Sequence, residues 1–324
     1  MGAVTPTPLR ILLAAPRGFC AGVERAVDIV ELALRAYGPP VYVRHAIVHN
    51  RHVVSTLEAK GAVFVEDSSE VPEGGRLVFS AHGVSPQVRR EAEARGLATI
   101  DATCPLVTKV HLEAVDYAER GLSVVLIGHG GHQEVIGTMG HAPESITLVE
   151  TPEDVEALDL PDPARVAYIS QTTLSVDEAD AVIRALVRRY PLARGPRGDD
   201  ICYATQNRQD ATKVLAARTD LVLVVGSSDS SNSKRMVEVA LASGAPAAHL
   251  VEDAAALEDG WFDGVATIGL TSGASAPEVL VSGVIDALHG RPGGATVERL
   301  DVIDEQMHFA LPAALRNLPI AQVG

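Results

Sequence analysis

The sequence predicts an α/β fold built from three similar α/β units in pseudo-threefold arrangement, and two observations carry that prediction. Short runs rich in Val, Ile and Leu alternate with helix-length amphipathic stretches, the pattern of parallel sheets joined by crossover helices. The polar residues that follow those runs also recur three times at nearly constant spacing.

Taken in order, ILLAAP, RLVFSA, SVVLIG, RVAYIS, LVLVVG and VATIGL read as buried strands. VERAVDIVELALRAY, TKVHLEAVDYAERG and SKRMVEVALASG read as helices that follow strands. Right-handed crossovers then put the loops after the strands on one side of each sheet, the usual ligand side of open α/β folds. Unit boundaries are expected near residues 102 and 197, the second in the loop-like ARGPRGDD. This divides the chain into units 10–102, 103–197 and 198–290, with 291–324 as a C-terminal appendage.

Cys20 and His49 are 29 positions apart, Cys104 and His132 are 28 apart, and Cys202 and Ser230 are 28 apart. Each unit then supplies another polar turn: HGVS at 82–85, QTTLS at 171–175 and SGASAP at 272–277. Units related in this way would bring their cysteines to one axis.

Composition limits the function. Hydrophobic residues make up 47% and charged residues 21%, which is ordinary for a folded soluble protein of several cores. A net charge of -15 argues against a nucleic-acid surface, because backbone binders concentrate Lys and Arg. No run reaches the roughly 18 uncharged apolar residues of a membrane span, and MGAVTPTPLR lacks a signal-peptide core, so a cytoplasmic location is expected.

Three cysteines cannot close a set of disulfides, and in a reducing compartment they point to metal or catalysis. A lone free Cys is more often a small buried hydrophobe, but three in equivalent turn or helix-start contexts reverse that preference. Zinc with a histidine ligand is the competitor, although structural zinc sites draw on CxxC pairs, which do not occur here. Three thiolates suit an iron-sulfur cluster that keeps one iron open, and the three units are expected to surround it.

Neither GxxxxGK[ST] nor GxGxxG is present. Instead VHN at 48–50, SAHG at 80–83, GHGGHQE at 128–134, GSSDSSNSK at 226–234 and SGAS at 272–275 are dense in neutral donors. Such turns can cradle a diphosphate without net positive charge. For a single histidine a satisfied, partly buried imidazole is at least as good a reading, and a capping loop is an even alternative for SSDSSNS. Glu134 near the ligand side could serve as a general acid with a raised pKa, or simply open a helix.

Together PRGFCAGVERAV, VHN, FSAHGVS, DATCPLVTKVH, GHGGHQEVIGTMG, QTTLSVDEA, DICYATQNRQ, SSNS and TSGASAPE resemble the LytB-type 4-hydroxy-3-methylbut-2-enyl diphosphate reductase family over about residues 11–288. The resemblance implies a three-lobed α/β enzyme with one [4Fe-4S] cluster on Cys20, Cys104 and Cys202 and one open iron site. It implies diphosphate contacts at His49, His82, His132, Ser230, Ser231, Asn232 and Ser275, Glu134 as proton donor and Thr172 near the substrate hydroxyl.

The implied reaction is reductive dehydroxylation of (E)-4-hydroxy-3-methylbut-2-enyl diphosphate to isopentenyl and dimethylallyl diphosphate, the last step of the non-mevalonate isoprene pathway. The implied electron source is ferredoxin or flavodoxin, for which Arg89, Arg90, Arg194 and Arg197 are candidate contacts. Gln133, Ile136 and Ser170 stand where the family usually has other residues, and none of the three is a ligand or the acid. A cluster-based sensor and a zinc hydrolase are the rival readings; the polar turns disfavour the first and the cysteine spacing the second.

Overall fold

The computed structural model describes residues 8–316. The described residues divide into two compact units, one of residues 8–20 and 203–307 and the other of residues 21–202 and 308–316. Within them lie three parallel sheets, one in the first unit and two in the second, as three α/β repeats require.

In chain order the strands are β1 (Leu9–Ala15), β2 (Val41–Arg44), β3 (Ala62–Val65), β4 (Arg76–Phe79), β5 (Ala98–Asp101), β6 (Ser123–Ile127), β7 (Ile146–Val149), β8 (Val166–Ser170), β9 (Leu221–Val225), β10 (Ala248–Val251), β11 (Thr267–Ser272) and β12 (Ala295–Asp301). The helices are α1 (Ala21–Tyr37), α2 (Arg51–Ala59), α3 (Pro86–Ala94), α4 (Pro105–Glu119), α5 (Gln133–Met139), α6 (Pro152–Ala157), α7 (Val176–Arg189), α8 (Tyr203–Ala216), α9 (Ser231–Ala242), α10 (Glu278–His289) and α11 (Ala313–Arg316).

The first unit carries a five-stranded sheet in the order β10-β9-β11-β1-β12. Its central strands are apolar on both faces because both are covered. Ile11, Leu13, Leu221 and Leu223 pack with Val281, Val284 and Leu288 of α10. Leu12, Val222 and Val224 pack on the opposite face with Leu215 of α8 and Met236 of α9.

The expected first unit, 10–102, takes in residues 10–15 of β1. In the structure β1 pairs with β11 on one side and β12 on the other. A strand whose last five residues are all buried needs neighbours on both edges, and β11 and β12 supply them. Residues 295–301, which fall in the expected C-terminal appendage, are the edge strand that completes this sheet.

The second unit holds two smaller sheets, β3-β2-β4-β5 and β7-β6-β8. Leu77 and Phe79 pack with Val84 and Ala92 around α3. In the other sheet Val125 and Ile127 face Val182 and Leu186 of α7, while Val124 and Leu126 face Val110 and Ala114 of α4. Truncating a large, fully buried member such as Leu77, Phe79, Leu126 or Leu186 to Ala typically costs about 2–5 kcal/mol. No helix among the described residues is long and apolar enough to cross a membrane.

Candidate active site

Each cysteine immediately precedes a helix: Cys20 lies before α1, Cys104 is the N-cap of α4, and Cys202 lies before α8. Each is half-buried, and no disulfide joins any two of them. Exposed amides and the helix dipole stabilise a thiolate at such a position.

The cysteine amides follow one pattern. The N–H of Cys104 donates to Ala81 O at 3.0 Å, that of Cys202 to Thr172 O at 3.0 Å, and that of Cys20 to Ala274 O at 3.2 Å. Every cysteine is thus tied to one of the three polar turns, at 80–83, 171–173 and 272–275. Among the described residues no group of three or more His, Cys, Asp or Glu side chains forms a single-ion site. The donor chemistry, three soft sulfurs at helix starts, matches that of an iron-sulfur cluster.

In the second unit, strand ends of both sheets bring His49, His82 and His132 together. Ring centroids are 4.1 Å apart for His49 and His82, 5.3 Å for His49 and His132, and 5.8 Å for His82 and His132. Asn50 caps α2 through its side chain, accepting from Val53 N at 3.1 Å, which pins the residue after His49. Gly83 holds φ of +78°, and a Cβ there would meet His111 Cε1 at 2.6 Å, so the turn after His82 requires glycine. Desolvation first, and then the charges of His49 and His132, hold the His82 pKa well below the usual imidazole value. Burial and two neighbouring imidazoles thus favour the neutral form of His82, and an anion placed beside it would oppose that preference.

Glu134 lies in the first turn of α5, where His132 does the capping by accepting Glu134 N at 3.2 Å. The Glu134 carboxylate is only 2% exposed. Its oxygens accept Thr172 N at 2.6 Å and Thr172 Oγ1 at 2.8 Å. Burial pushes its pKa up to about 7 even though both Thr172 hydrogen bonds oppose the shift. Glu134 is therefore a carboxyl poised near neutrality rather than a helix-capping residue.

In the first unit Ser230 caps α9, accepting Ser233 N at 3.3 Å, and its Oγ lies 3.5 Å from Ser275 Oγ. Asn232 Oδ1 accepts Ala274 N at 3.0 Å, which joins the start of α9 to the turn that also holds Cys20. Ser231 is the first residue of α9. The capping role weighed for SSDSSNS is therefore real at Ser230, and it leaves the loop ordered against Ser275.

Sequence reasoning passed over Thr271 and Ser272. Both hydroxyls are fully buried at the end of β11, and neither has a hydrogen-bond partner among the described residues. Two hydroxyls closing an otherwise apolar strand, directly before a polar turn, were the available signal.

The chain matches the LytB protein family model over residues 11–289. It is 61% identical over 308 residues to the 4-hydroxy-3-methylbut-2-enyl diphosphate reductase of Acidothermus cellulolyticus, a match covering 95% of this chain and 90% of that one. It is 57% identical over 318 residues to the enzyme of the same name from Streptomyces coelicolor, covering 98% and 94%. The solved structure of (E)-1-hydroxy-2-methyl-but-2-enyl 4-diphosphate reductase from Plasmodium falciparum superposes with a TM-score of 0.92 at 40% identity, covering 96% of this chain and 97% of that one. A second, the (E)-4-hydroxy-3-methyl-but-2-enyl diphosphate reductase described as the terminal enzyme of the non-mevalonate pathway, gives 0.62 at 32% identity, covering 86% and 99%. The chain belongs to the LytB protein family.

Proposed function

We propose that this chain is a reductase that removes the hydroxyl of (E)-4-hydroxy-3-methylbut-2-enyl diphosphate, yielding isopentenyl and dimethylallyl diphosphate. The observation that carries this reading is buried Glu134, bonded to Thr172 and poised near neutrality, on the helix whose cap His132 packs with His49 and His82. A general acid beside a cluster of neutral donors is what removal of a hydroxyl from a diphosphate needs.

Cys20, Cys104 and Cys202 are the proposed holders of one [4Fe-4S] cluster. When bound, the cluster supplies electrons singly and offers one iron position to the substrate. The chain's own residues do the rest. His49, His82, His132, Ser230, Ser231, Asn232 and Ser275 are assigned to the diphosphate. Glu134 holds the proton on its carboxyl, and the Thr172 hydroxyl orients it toward the leaving oxygen. In balance, two electrons and two protons enter: one proton departs in water, the other ends on carbon, and the end of the allyl unit it reaches decides the product.

Electrons are assigned to ferredoxin or flavodoxin in a cytoplasmic setting. Arg89 is paired with Asp101 at 2.8 Å and Arg90 with Gln87 at 2.8 Å, so neither is the best contact. Arg194 and Arg197 line a cleft of about 680 Å³ in which Lys109 and Arg120 are already paired with Asp200 and Asp116, so Arg194 and Arg197 are the candidates left for an acidic carrier.

The test is anaerobic. Iron-loaded protein supplied with the substrate and a one-electron reductant is expected to form both products, and loaded protein that forms neither would refute the proposal. Replacing His49 or His82 by Ala is expected to weaken substrate binding roughly ten- to hundredfold at normal iron content. Titration calorimetry alongside iron analysis checks this, and loss of iron would make the imidazole a metal ligand instead. Because Glu134 carries its proton only below about pH 7, kcat is expected to fall as pH rises through that value. A pH profile flat to pH 9 would remove Glu134 as the donor.

A further inference from the structure

Each helix that follows a cysteine carries a cation in its first or second turn, and each of these cations grips main-chain carbonyls just ahead of another cysteine. Arg25, five residues after Cys20, donates from Nη1 to Ala102 O at 3.3 Å and to Thr103 O at 3.0 Å, the two carbonyls before Cys104. Lys109, five residues after Cys104, donates to Gly198 O at 3.0 Å, Asp199 O at 3.2 Å and Asp200 Oδ1 at 2.7 Å, in the approach to Cys202. Arg208, six residues after Cys202, donates to Gly18 O at 2.6 Å and Phe19 O at 3.4 Å, the two carbonyls before Cys20. Followed along the chain, the three grips form a closed cycle: first helix to second cysteine, second to third, third to first.

The three differ in burial: Arg25 and Lys109 are half-buried, and Arg208 is fully buried. Arg208 is 0% exposed and is balanced by Glu305 at 3.0 Å, an expensive arrangement to retain for packing alone. Arg25 extends further, from Nε to Ala310 O at 2.9 Å. Asp200, gripped by Lys109, uses its other oxygen to accept Ser170 N at 2.8 Å, which fixes the approach to Cys202 against the end of β8.

We infer that Arg25, Lys109 and Arg208 are positioning residues for the cysteine centre. This rests on the reading that Cys20, Cys104 and Cys202 hold a cluster. The physical reason is that three thiolates repel one another, and a cluster tolerates little error in sulfur placement. Each cysteine is held from two sides, its amide by a polar turn and its preceding carbonyls by a cation drawn from a different cysteine's helix. Displacing one helix therefore loosens the approach to the next cysteine.

The experiment uses the full chain carrying Arg25→Met or Lys109→Met, with Arg25→Lys and Lys109→Arg as conservative partners. After anaerobic reconstitution, iron and acid-labile sulfide are measured, followed by the rate of cluster loss to an iron chelator. The Met variants are expected to lose cluster about tenfold faster, or more, than wild type, and the conservative variants to recover most of that difference. Hydrogen exchange in the cluster-free proteins provides a readout that survives poor loading. Exchange should rise at residues 102–104 in Arg25→Met and at 198–202 in Lys109→Met, each at its own segment. Wild-type loss rates in both Met variants would overturn the inference, as would uniform exchange increases across the chain. A wild-type protein that takes up neither iron nor sulfide would instead overturn the cluster reading on which the inference rests.

Discussion

Glu134→Gln is expected to lower turnover by about 10²- to 10⁴-fold while leaving iron content and substrate affinity near wild type. Hydroxide is a poor leaving group, so the carbon–oxygen bond breaks only when a proton reaches that oxygen. The Glu134 carboxyl is held by Thr172 N and Oγ1, and a Gln side chain fills the same space while lacking a carboxylic proton. A substrate-induced change in the visible spectrum should persist in the variant, separating binding from turnover.

The same variant tests the burial argument. Glu134 has a folded-state pKa raised to about 7, above the ordinary carboxyl value of 4.5. A raised carboxyl pKa means the fold binds the proton more tightly than the unfolded chain does. Stability from this group is therefore greatest at low pH and declines as pH climbs from about 4.5 to 7. In Glu134→Gln that segment of the pH–stability curve should flatten, as denaturant melts of the cluster-free protein would register. Near-wild-type turnover would take Glu134 out of the reaction whatever the melts show.

Exchanging any one of Cys20, Cys104 or Cys202 for Ser is expected to abolish activity and to strip or severely destabilise the cluster. A serine hydroxyl is a harder and far less acidic donor than a thiolate, and with three protein anchors no spare ligand replaces the lost one. The helix-start positions sharpen the contrast, because amides that stabilise a thiolate do little for a neutral hydroxyl. Iron and sulfide analysis with a visible spectrum on anaerobic protein decides it. A Ser variant with full iron and full turnover would sink the assignment of that residue.

The sequence made one class of strand legible and hid another. ILLAAP, RLVFSA, SVVLIG, RVAYIS, LVLVVG and VATIGL correspond to β1, β4, β6, β8, β9 and β11, central or well-covered strands whose apolar runs announce burial. Missed were β2, β3, β5, β7, β10 and β12, most of them four residues long and half exposed. The last, ATVERLD, is exposed along nearly its whole length and displays no alternation, so only pairing with β1 defines it as a strand.

The site was legible as residue types but not as geometry. Nothing in the spacing of positions 49, 82 and 132 places three imidazoles within 6 Å, since they leave three different strands; the family resemblance carried their grouping. The roles of Lys109 and Arg208 are not legible in sequence, because a main-chain carbonyl partner leaves no mark there. Asp200 sits in the polar stretch ARGPRGDD, and nothing there marks its buried bonds to Lys109 and Ser170.

The place of β1 in its sheet has a consequence for biogenesis. Residues 9–15 leave the ribosome ahead of every other strand among the described residues, yet their hydrogen-bonding partners on both sides are residues 267–272 and 295–301. Local pairing during synthesis can complete β2 to β8 while β1 still waits for its neighbours. The segment ending at Cys20 is consequently the last of the three cysteine arms to acquire its fold, because its amide contact with Ala274 is translated about 250 residues later. A ribosome stalled before residue 267 would hold a chain in which β1, and the segment from it to Cys20, still lack their sheet partners, so the proposed three-cysteine centre is complete only after residue 274 has been translated.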